Sequence, residues 1–385
     1  MGISPRLSIT LTFAAFGVGF GLWAGASAAL IARTGVSVAV FGAALAGFTA
    51  VYMLAMGAAS TLARLTTVKT VVIGALLVSA PMGALLLTAA SPARLVGGLL
   101  LYGLSAGVLD SAMNAEAAAY ERGLRRPVMA RFHGVASATV AVGAILGSLL
   151  AGEATLWAAP ALATLAYLVA ALAASRLPPA EPRPAPGGEI PKARVVTPSL
   201  VVIGLVVGVS IACETATLTW SPSLLSAEAP ELAALAGLGG AFFAACQAAL
   251  RLNADGVRAR IEDRRLMALS LVVAAAGLLV VALPLGFFGD VLGFAIVGFG
   301  TGAVVPCGFA LAGTRPGVSV AASISAVAFF GIFVRLPAPL AVGFLASAFS
   351  LPVAFVALAV VLIVAAGAVL AFVPAPHIAL GRASS

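Results

Sequence analysis

Twelve separate apolar segments, each about 20 residues long, dominate this 385-residue chain. They are bounded by charged residues or prolines and are centred near residues 19, 50, 80, 105, 142, 166, 211, 240, 274, 300, 333 and 362. A segment of this length crosses the hydrocarbon core of a bilayer as an α-helix, because a helix satisfies its backbone hydrogen bonds internally. The composition agrees, since 62% of the residues are hydrophobic and only 9% are charged, which excludes a soluble globular protein. The sequence therefore predicts an all-α, multi-pass membrane protein with twelve transmembrane helices.

The basic residues indicate how these helices are oriented, because cytoplasmic loops collect Lys and Arg. With a cytoplasmic N-terminus, every basic residue except Arg33, Arg94 and Arg335 falls in a cytoplasmic segment. Both termini are therefore expected in the cytoplasm, with the chain in the inner membrane of a bacterium. This asymmetry accounts for the net charge of +8, so a lipid bilayer is the expected partner and nucleic acid is not.

A polar, proline-rich stretch divides the chain into two halves of six helices each. The predicted units are a first six-helix bundle over residues 1–176, a cytoplasmic linker over 177–198 and a second bundle over 199–385. The halves also share Gly-x-x-x-Gly spacing in YGLSAGVLDSA (102–112) and VGFGTGAVVPC (297–307). Two such halves, related by an axis along the membrane normal, are typical of transporters that rock around a central site.

Several kinds of chemistry are not expected. The three cysteines Cys213, Cys246 and Cys307 fall within apolar helices, and together with two histidines they form no pattern for a disulfide framework or a metal site. The two lysines lie outside any phosphate-binding loop, so nothing indicates an ATP-driven pump or an enzyme. No cofactor is expected, and energy would come from a proton gradient.

The segment VLDSAMNAE places Asp110 and Asn114 on one face of the fourth predicted helix, because they are four residues apart. A charged residue at a helix centre costs roughly 2.5–3.5 kcal/mol on insertion, so it normally faces protein or water and has a function. A carboxylate taken from water also holds a proton more readily. We predict that Asp110 is the proton-coupling site and that Asn114 contacts substrate. The alternative is that Asp110 makes a structural hydrogen bond to a neighbouring helix.

A second charged pair is predicted from depth alone. At about 1.5 Å per residue, Glu214 in the seventh helix and Arg335 in the eleventh both lie roughly 24 Å from the cytoplasmic ends of their helices. An unpaired arginine in hydrocarbon is improbable, so we predict an intramembrane ion pair. Two alternatives are open: Arg335 binds backbone carbonyls freed by Pro337 and Pro339, or it faces the cavity and holds an anionic substrate.

Three aromatic residues, Trp23, Tyr102 and Trp220, are candidates for stacking on a flat ligand such as a sugar ring. Their alternative role is packing in the core or anchoring at the membrane interface.

The twelve helices in two sixes, the central linker and the basic loops after helices two and eight resemble the major facilitator superfamily across essentially the whole chain. Its signature after helix two is G-x-L-A-D-R-x-G-R, and GAASTLARLTTVK (57–69) departs from it with Thr61 in place of the aspartate. The equivalent after helix eight, RLNADGVRARIEDRR (251–265), keeps Asp255 and several arginines. The resemblance implies that Asp255, Arg258 and Arg131 form a latch, meaning ion pairs that hold the cytoplasmic ends of helices together.

Within the superfamily, DSAMN followed by FHGVASATVAVGAILG is similar to the fucose-permease-like branch and to bacterial inner-membrane members of mostly unknown substrate. This resemblance implies that Asp110 carries the proton, with Asn114 beside it. The branch also uses an acid in helix one, and here FGLWAGASAALI ends at Ile31 without one. A rival resemblance, to the helix-five glycine motif of antiporters, rests on four glycines, namely Gly134, Gly143, Gly147 and Gly152.

These observations predict a secondary transporter that works as a monomer and moves a small polar organic solute by alternating access. Proton coupling is expected, with symport slightly favoured. The first alternative is a proton-driven exporter of drugs or metabolites. The second is a non-transporting membrane protein such as a lipid scramblase or a sensor.

Overall fold

The computed structural model describes residues 4–124, 128–176, 196–313 and 320–374, apart from a few side chains within them. Within these residues the regular structure is helical and no strand is present. The α-helices are α1 (Pro5–Gly25), α2 (Ser27–Thr34), α3 (Val38–Leu65), α4 (Val68–Leu87), α5 (Pro92–Leu124), α6 (Met129–Leu149), α7 (Ala158–Ser175), α8 (Pro198–Glu228), α9 (Leu238–Arg258), α10 (Asp263–Val281), α11 (Gly286–Thr301), α12 (Val304–Gly313), α13 (Val320–Arg335), α14 (Ala338–Ala348) and α15 (Leu351–Phe372). Short 3-10 helices lie at Glu153–Thr155 and Pro230–Leu235.

Twelve helical segments of the described chain are long and apolar enough to cross a membrane. Each contains one of the twelve centres predicted from hydropathy, so the predicted number and placement of the spans are confirmed. Two spans each consist of two consecutive helices, α11 with α12 and α13 with α14. Pro337 and Pro339 stand at the start of α14, where proline lacks the N–H that would continue the hydrogen-bond ladder. The eleventh span is therefore interrupted directly after Arg335.

Capping chemistry in the sequence sets where several helices begin. Ser37, Thr67, Thr197 and Ser350 precede α3, α4, α8 and α15, and each side chain accepts a hydrogen bond from the backbone N–H three residues later. Such a side chain satisfies one of the N–H groups left free at a helix start. Gly35 ends α2 in the left-handed conformation, with φ of 66°, which glycine adopts without strain.

The helices pack as two six-span bundles. In the first, α1 packs against α6 and α7, while α5 packs against α3 and α4. In the second, α8 packs against α13 and α15, and α10 packs against α11 and α15. The predicted boundaries at residues 176 and 199 stay predictions, because residues 177–195 lie outside the described part of the chain.

Glycines allow the closest helix crossings of the first bundle. A Cβ on Gly147 would overlap the Leu22 carbonyl oxygen, and one on Gly107 would overlap the Tyr52 carbonyl oxygen. In a membrane, where lipid tails are as apolar as the helices, such close contact supplies much of the packing energy. The crossing at Gly107 has a further consequence, because it brings Tyr52 of α3 beside α5.

The two bundles contact each other at one end of the molecule and also along α6 and α9. We call the end that holds residues 35–37 and 349–350 the far end, and the opposite end, which holds residues 176 and 196–197, the linker end. Near the far end, α3 crosses α14 where a Cβ on Gly42 would lie 2.7 Å from the Cα of Gly343. The Ser27 hydroxyl also donates to the Thr219 carbonyl over 2.9 Å. Contacts between α6 and α9 join the bundles as well.

A bulky residue at Gly343 is expected to open the far end. Gly343→Leu cannot fit against Gly42 while α3 and α14 remain in contact, and overpacking of this kind costs about 1–3 kcal/mol. The population open at the far end should therefore rise on the order of ten-fold. The measurement is maleimide labelling, in detergent, of a cysteine introduced by Ser27→Cys, a position that is fully buried in this structure.

The matched control is Gly367→Leu, because a Cβ at Gly367 meets nothing within 4 Å. Labelling of the same variants without the introduced cysteine is subtracted. If Gly343→Leu and Gly367→Leu label Ser27→Cys at the same rate, the glycine contact does not hold the far end together.

Candidate functional site

Asp110 lies near the middle of α5, within the span Pro92–Leu124, and its side chain is half-buried. Asn114, one turn further along the helix, donates its side-chain N–H to the Asp110 carboxylate over 2.9 Å and to the Asp110 carbonyl over 2.8 Å. The two side chains are therefore together, as their spacing predicts. These hydrogen bonds hold the Asp110 carboxylate in one orientation, and they occupy the side-chain N–H donors of Asn114.

The phenol of Tyr52 approaches the same carboxylate from α3. This contact follows from the close crossing of α3 and α5 at Gly107. Tyr52 sits near the middle of the span Val38–Leu65, at the same depth as Asp110. A phenol is a neutral hydrogen-bond donor and acceptor, so it can bond to the carboxylate and also to a protonated carboxylic acid.

Arg335 is the charged group that acts on Asp110, and it comes from the other half of the molecule. It is the last residue of α13, near the middle of the span Ser323–Ala348, and its side chain is half-buried. Among the described residues the Arg335 guanidinium has no hydrogen-bond acceptor and no carboxylate within ion-pair distance. The alternative of binding carbonyls freed by Pro337 and Pro339 is therefore wrong in this structure.

Glu214 pairs with a different arginine from the one predicted. Its carboxylate accepts hydrogen bonds from Arg251 over 3.1 Å and from Gln247 over 3.0 Å, both of which lie on α9. The predicted Glu214–Arg335 ion pair is therefore wrong. The equal depth of the two residues holds, but α9 lies against α8 and continues as a helix to Arg258. Arg251 thus points along the bundle instead of belonging to a loop.

The Glu214–Arg251 pair is part of a polar network that reaches the first bundle. Arg251 also donates to the Ser137 hydroxyl of α6 over 3.4 Å, and Gln247 donates to Thr301 of α11 over 3.2 Å. His133, one turn before Ser137, lies within electrostatic range of Arg251 and Glu214. The side chains of Arg251 and Glu214 are 20% and 25% exposed, so water reaches them.

The three aromatic candidates are in the core. Trp23, Tyr102 and Trp220 are each about 1% exposed. Tyr102 and Tyr167 share a hydrogen bond of 2.9 Å between their hydroxyls, and Trp220 packs edge-on against Phe41 with ring centroids 5.2 Å apart. In this conformation none of the three presents a free surface to a solute, so the stacking prediction is corrected to core packing.

The predicted latch is described only in part. Arg258 binds Asp263 in a two-pronged contact, at 2.7 and 3.1 Å. The side chain of Asp255 lies outside the described part of the chain, and Arg131 is exposed. The latch between Asp255, Arg258 and Arg131 therefore stays a prediction.

Sequence reasoning did not single out Tyr52, Ser137, Gln247 or Arg251 as site residues. The arginine-rich stretch that begins at Arg251 indicated a loop. Neither Arg251 nor the nearby Gln247 was therefore predicted to contribute to a site within the membrane. Tyr52 is the one for which a signal existed, since a tyrosine at midspan needs a partner for its hydroxyl. In the part of the chain that the structure describes, no cluster of three His, Cys, Asp or Glu residues could hold a metal ion.

A family model and two sequence relatives point to the same group of membrane transporters. Residues 8–335 match the family model described as Major Facilitator Superfamily. The chain is 30% identical over 380 residues to an uncharacterized MFS-type transporter of Yersinia pestis, with 95% of each chain covered. It is 29% identical over 267 residues to the uncharacterized transporter y4wD of Sinorhizobium fredii, with 67% of this chain and 68% of that protein covered.

Solved structures show the same fold at lower identity. A crystal structure of a mutant form of the nucleoside transporter NupG has a TM-score of 0.76 and 12% identity, covering 96% of this chain and 100% of that one. An inward-facing, unoccupied structure of a bacterial homologue of the human lysosomal transporter Spinster has a TM-score of 0.74 and 15% identity, covering 96% and 97%. At these identities the likeness concerns the fold alone.

Proposed function

Since this chain belongs to the major facilitator superfamily and is a secondary transporter, we propose that it carries a small polar organic solute across the bacterial inner membrane together with protons. The proposed orientation has both termini in the cytoplasm, and the working unit is a monomer. The observation that carries the proposal is Asp110, a half-buried carboxyl group at midspan that is within electrostatic range of Arg335 in the other bundle.

The surroundings of Asp110 suit a group that gains and loses a proton. Its partners Asn114 and Tyr52 are both neutral and can hydrogen-bond the ionised or the protonated form. A salt bridge with direct contact would lock the carboxylate in its charged form, and Arg335 acts on it without forming one. A charged residue in a membrane interior is costly and usually serves transport of ions or protons.

The position of Asp110 also links its proton to movement of the two bundles. Asp110 belongs to the first bundle and Arg335 to the second, so their attraction draws the bundles together at this depth. Protonation of Asp110 removes that attraction. A proton and a solute can therefore each change the relative stability of the two access states, which is what coupled transport requires.

We favour symport over export. The glycines that resemble an antiporter motif are accounted for by packing, since Gly143 and Gly147 allow α6 to cross α1 closely. No additional role in export is needed to explain them.

The test is solute-induced proton movement in proteoliposomes that contain a trapped pH-sensitive dye. Sugars, organic acids, amides, nucleosides and cationic drugs are added outside, with protein-free liposomes as the control for passive entry. Symport predicts acidification of the lumen when a solute is added outside. Alkalinisation of the lumen would indicate antiport and export, and solute uptake without any proton movement would overturn proton coupling.

A further inference from the structure

We infer that the solute is a small organic monoanion with a carboxylate, that it binds to Arg335, and that it crosses together with one proton carried by Asp110. The inference rests on the proposed function and names its substrate class. It also predicts the electrical character of the cycle, because a monoanion and a proton together carry no net charge.

The charges of the site leave Arg335 as the available cation. Glu214 and Arg251 are in direct contact at 3.1 Å and neutralise each other. The Glu214 carboxylate receives a further hydrogen bond from Gln247, and Arg251 donates to Ser137. Both members of this pair therefore already have hydrogen-bonding partners, whereas the Arg335 guanidinium has no direct acceptor among the described residues.

The place of Arg335 in the fold suits a ligand-binding role. It ends α13 at the interruption before Pro337, near midspan and half-buried. A guanidinium offers five N–H donors in a planar fork that matches a carboxylate. Leaving those donors without acceptors inside a membrane is costly, so an incoming carboxylate gains both the ion pair and the hydrogen bonds.

Protonation of Asp110 leaves a net positive charge at Arg335, which an anionic solute can neutralise. While Asp110 is ionised, its charge balances that of Arg335 through space. Arg335 is the charged group that acts on Asp110, and the other contacts, from Tyr52 on α3 and Asn114 on α5, are neutral. When Asp110 takes up a proton, the charge of Arg335 is left unbalanced. A monoanion restores neutrality, whereas a neutral solute leaves one positive charge and a dianion leaves one negative charge.

The experiment compares matched solutes in the same proteoliposomes. The pairs are lactate with lactamide and benzoate with benzamide, which share a skeleton and differ in charge, and succinate serves as a dianion. Membrane potential is set with potassium gradients and valinomycin. Passive entry of the weak acids is measured in protein-free liposomes and is subtracted from every rate.

We expect a monocarboxylate to enter with a proton at a rate that does not change with membrane potential. Arg335→Gln should lower this rate by roughly ten-fold or more, because the charge-assisted hydrogen bonds between the guanidinium and the carboxylate are lost. Arg335→Lys should restore part of it. Arg94→Gln, which alters an exposed arginine, should have no effect.

Two results would overturn the inference and leave the proposed function standing. One is proton-coupled entry of the amides at rates equal to the acids, and the other is uptake that accelerates with a negative interior, which requires net positive charge movement. The potential measurement uses the native protein, so it decides the matter even if the Arg335 variants fail to fold. An absence of proton movement with every solute would overturn the proposed function itself.

Discussion

Asp110→Asn is expected to abolish accumulation of the solute against its gradient while exchange of the solute across the membrane continues. The substitution keeps the size of the side chain and a partner for Asn114, but asparagine cannot bind and release a proton. One pH unit across the membrane is worth about 1.4 kcal/mol for each proton carried, so the native protein can accumulate solute roughly ten-fold and the variant none.

The measurement is uptake into proteoliposomes with an imposed pH gradient, followed by counterflow of labelled solute without a gradient. Glu116→Gln is the matched control, because Glu116 lies on the same helix and interacts with Lys69 instead. Accumulation by Asp110→Asn at the native level would show that Asp110 is structural. Loss of both accumulation and counterflow would place Asp110 in solute binding and not in proton coupling alone.

Breaking the Glu214–Arg251 pair by mutation is expected to cause the largest loss of stability. Arg251→Met leaves the Glu214 carboxylate without its charged partner, and Glu214→Gln leaves Arg251 without its own. Breaking a fully buried pair costs about 3–5 kcal/mol. Because both side chains are 20–25% exposed, a smaller loss of about 2 kcal/mol is expected for each variant.

A double-mutant cycle isolates this pair. The free energy of unfolding of the variant with both changes should exceed the value expected from adding the two losses by about 1 kcal/mol or more. Thermal unfolding in detergent, followed by tryptophan fluorescence, is the measurement. The same cycle between Glu214→Gln and Arg335→Gln is the control and should show a smaller coupling. Additive losses for Glu214 and Arg251 would mean that their contact contributes nothing.

The pairing of Glu214 shows where inference from the sequence stopped. Depth along a helix follows from residue count, and Glu214 and Arg335 do lie near the midpoints of their spans. Which side chains meet at that depth depends on which helices are neighbours and how each is rotated. Arg251 begins near the end of its span, and its long side chain reaches inward along the bundle to Glu214.

The burial of the three aromatic residues could not be predicted from the sequence either. Trp23, Tyr102 and Trp220 stand in segments whose hydropathy is uniform, so no periodicity separates a core face from a cavity face. Only the packing of α1, α5 and α8 decided that all three are buried. By contrast, the proximity of Asp110 and Asn114 needed no tertiary information, because it lies within one turn of one helix.

The sequence by itself determined the number of spans, several helix starts and the pairing of Asp110 with Asn114. Each of these depends on interactions between residues that are close in the chain: backbone hydrogen bonds, caps and the transfer of apolar side chains into lipid. The tertiary structure alone decided the partners of Glu214, the approach of Tyr52 to Asp110 and the electrostatic influence of Arg335 on Asp110. These contacts join helices that are far apart in the chain, and their geometry is set by close packing at glycines and by the interruption before Pro337.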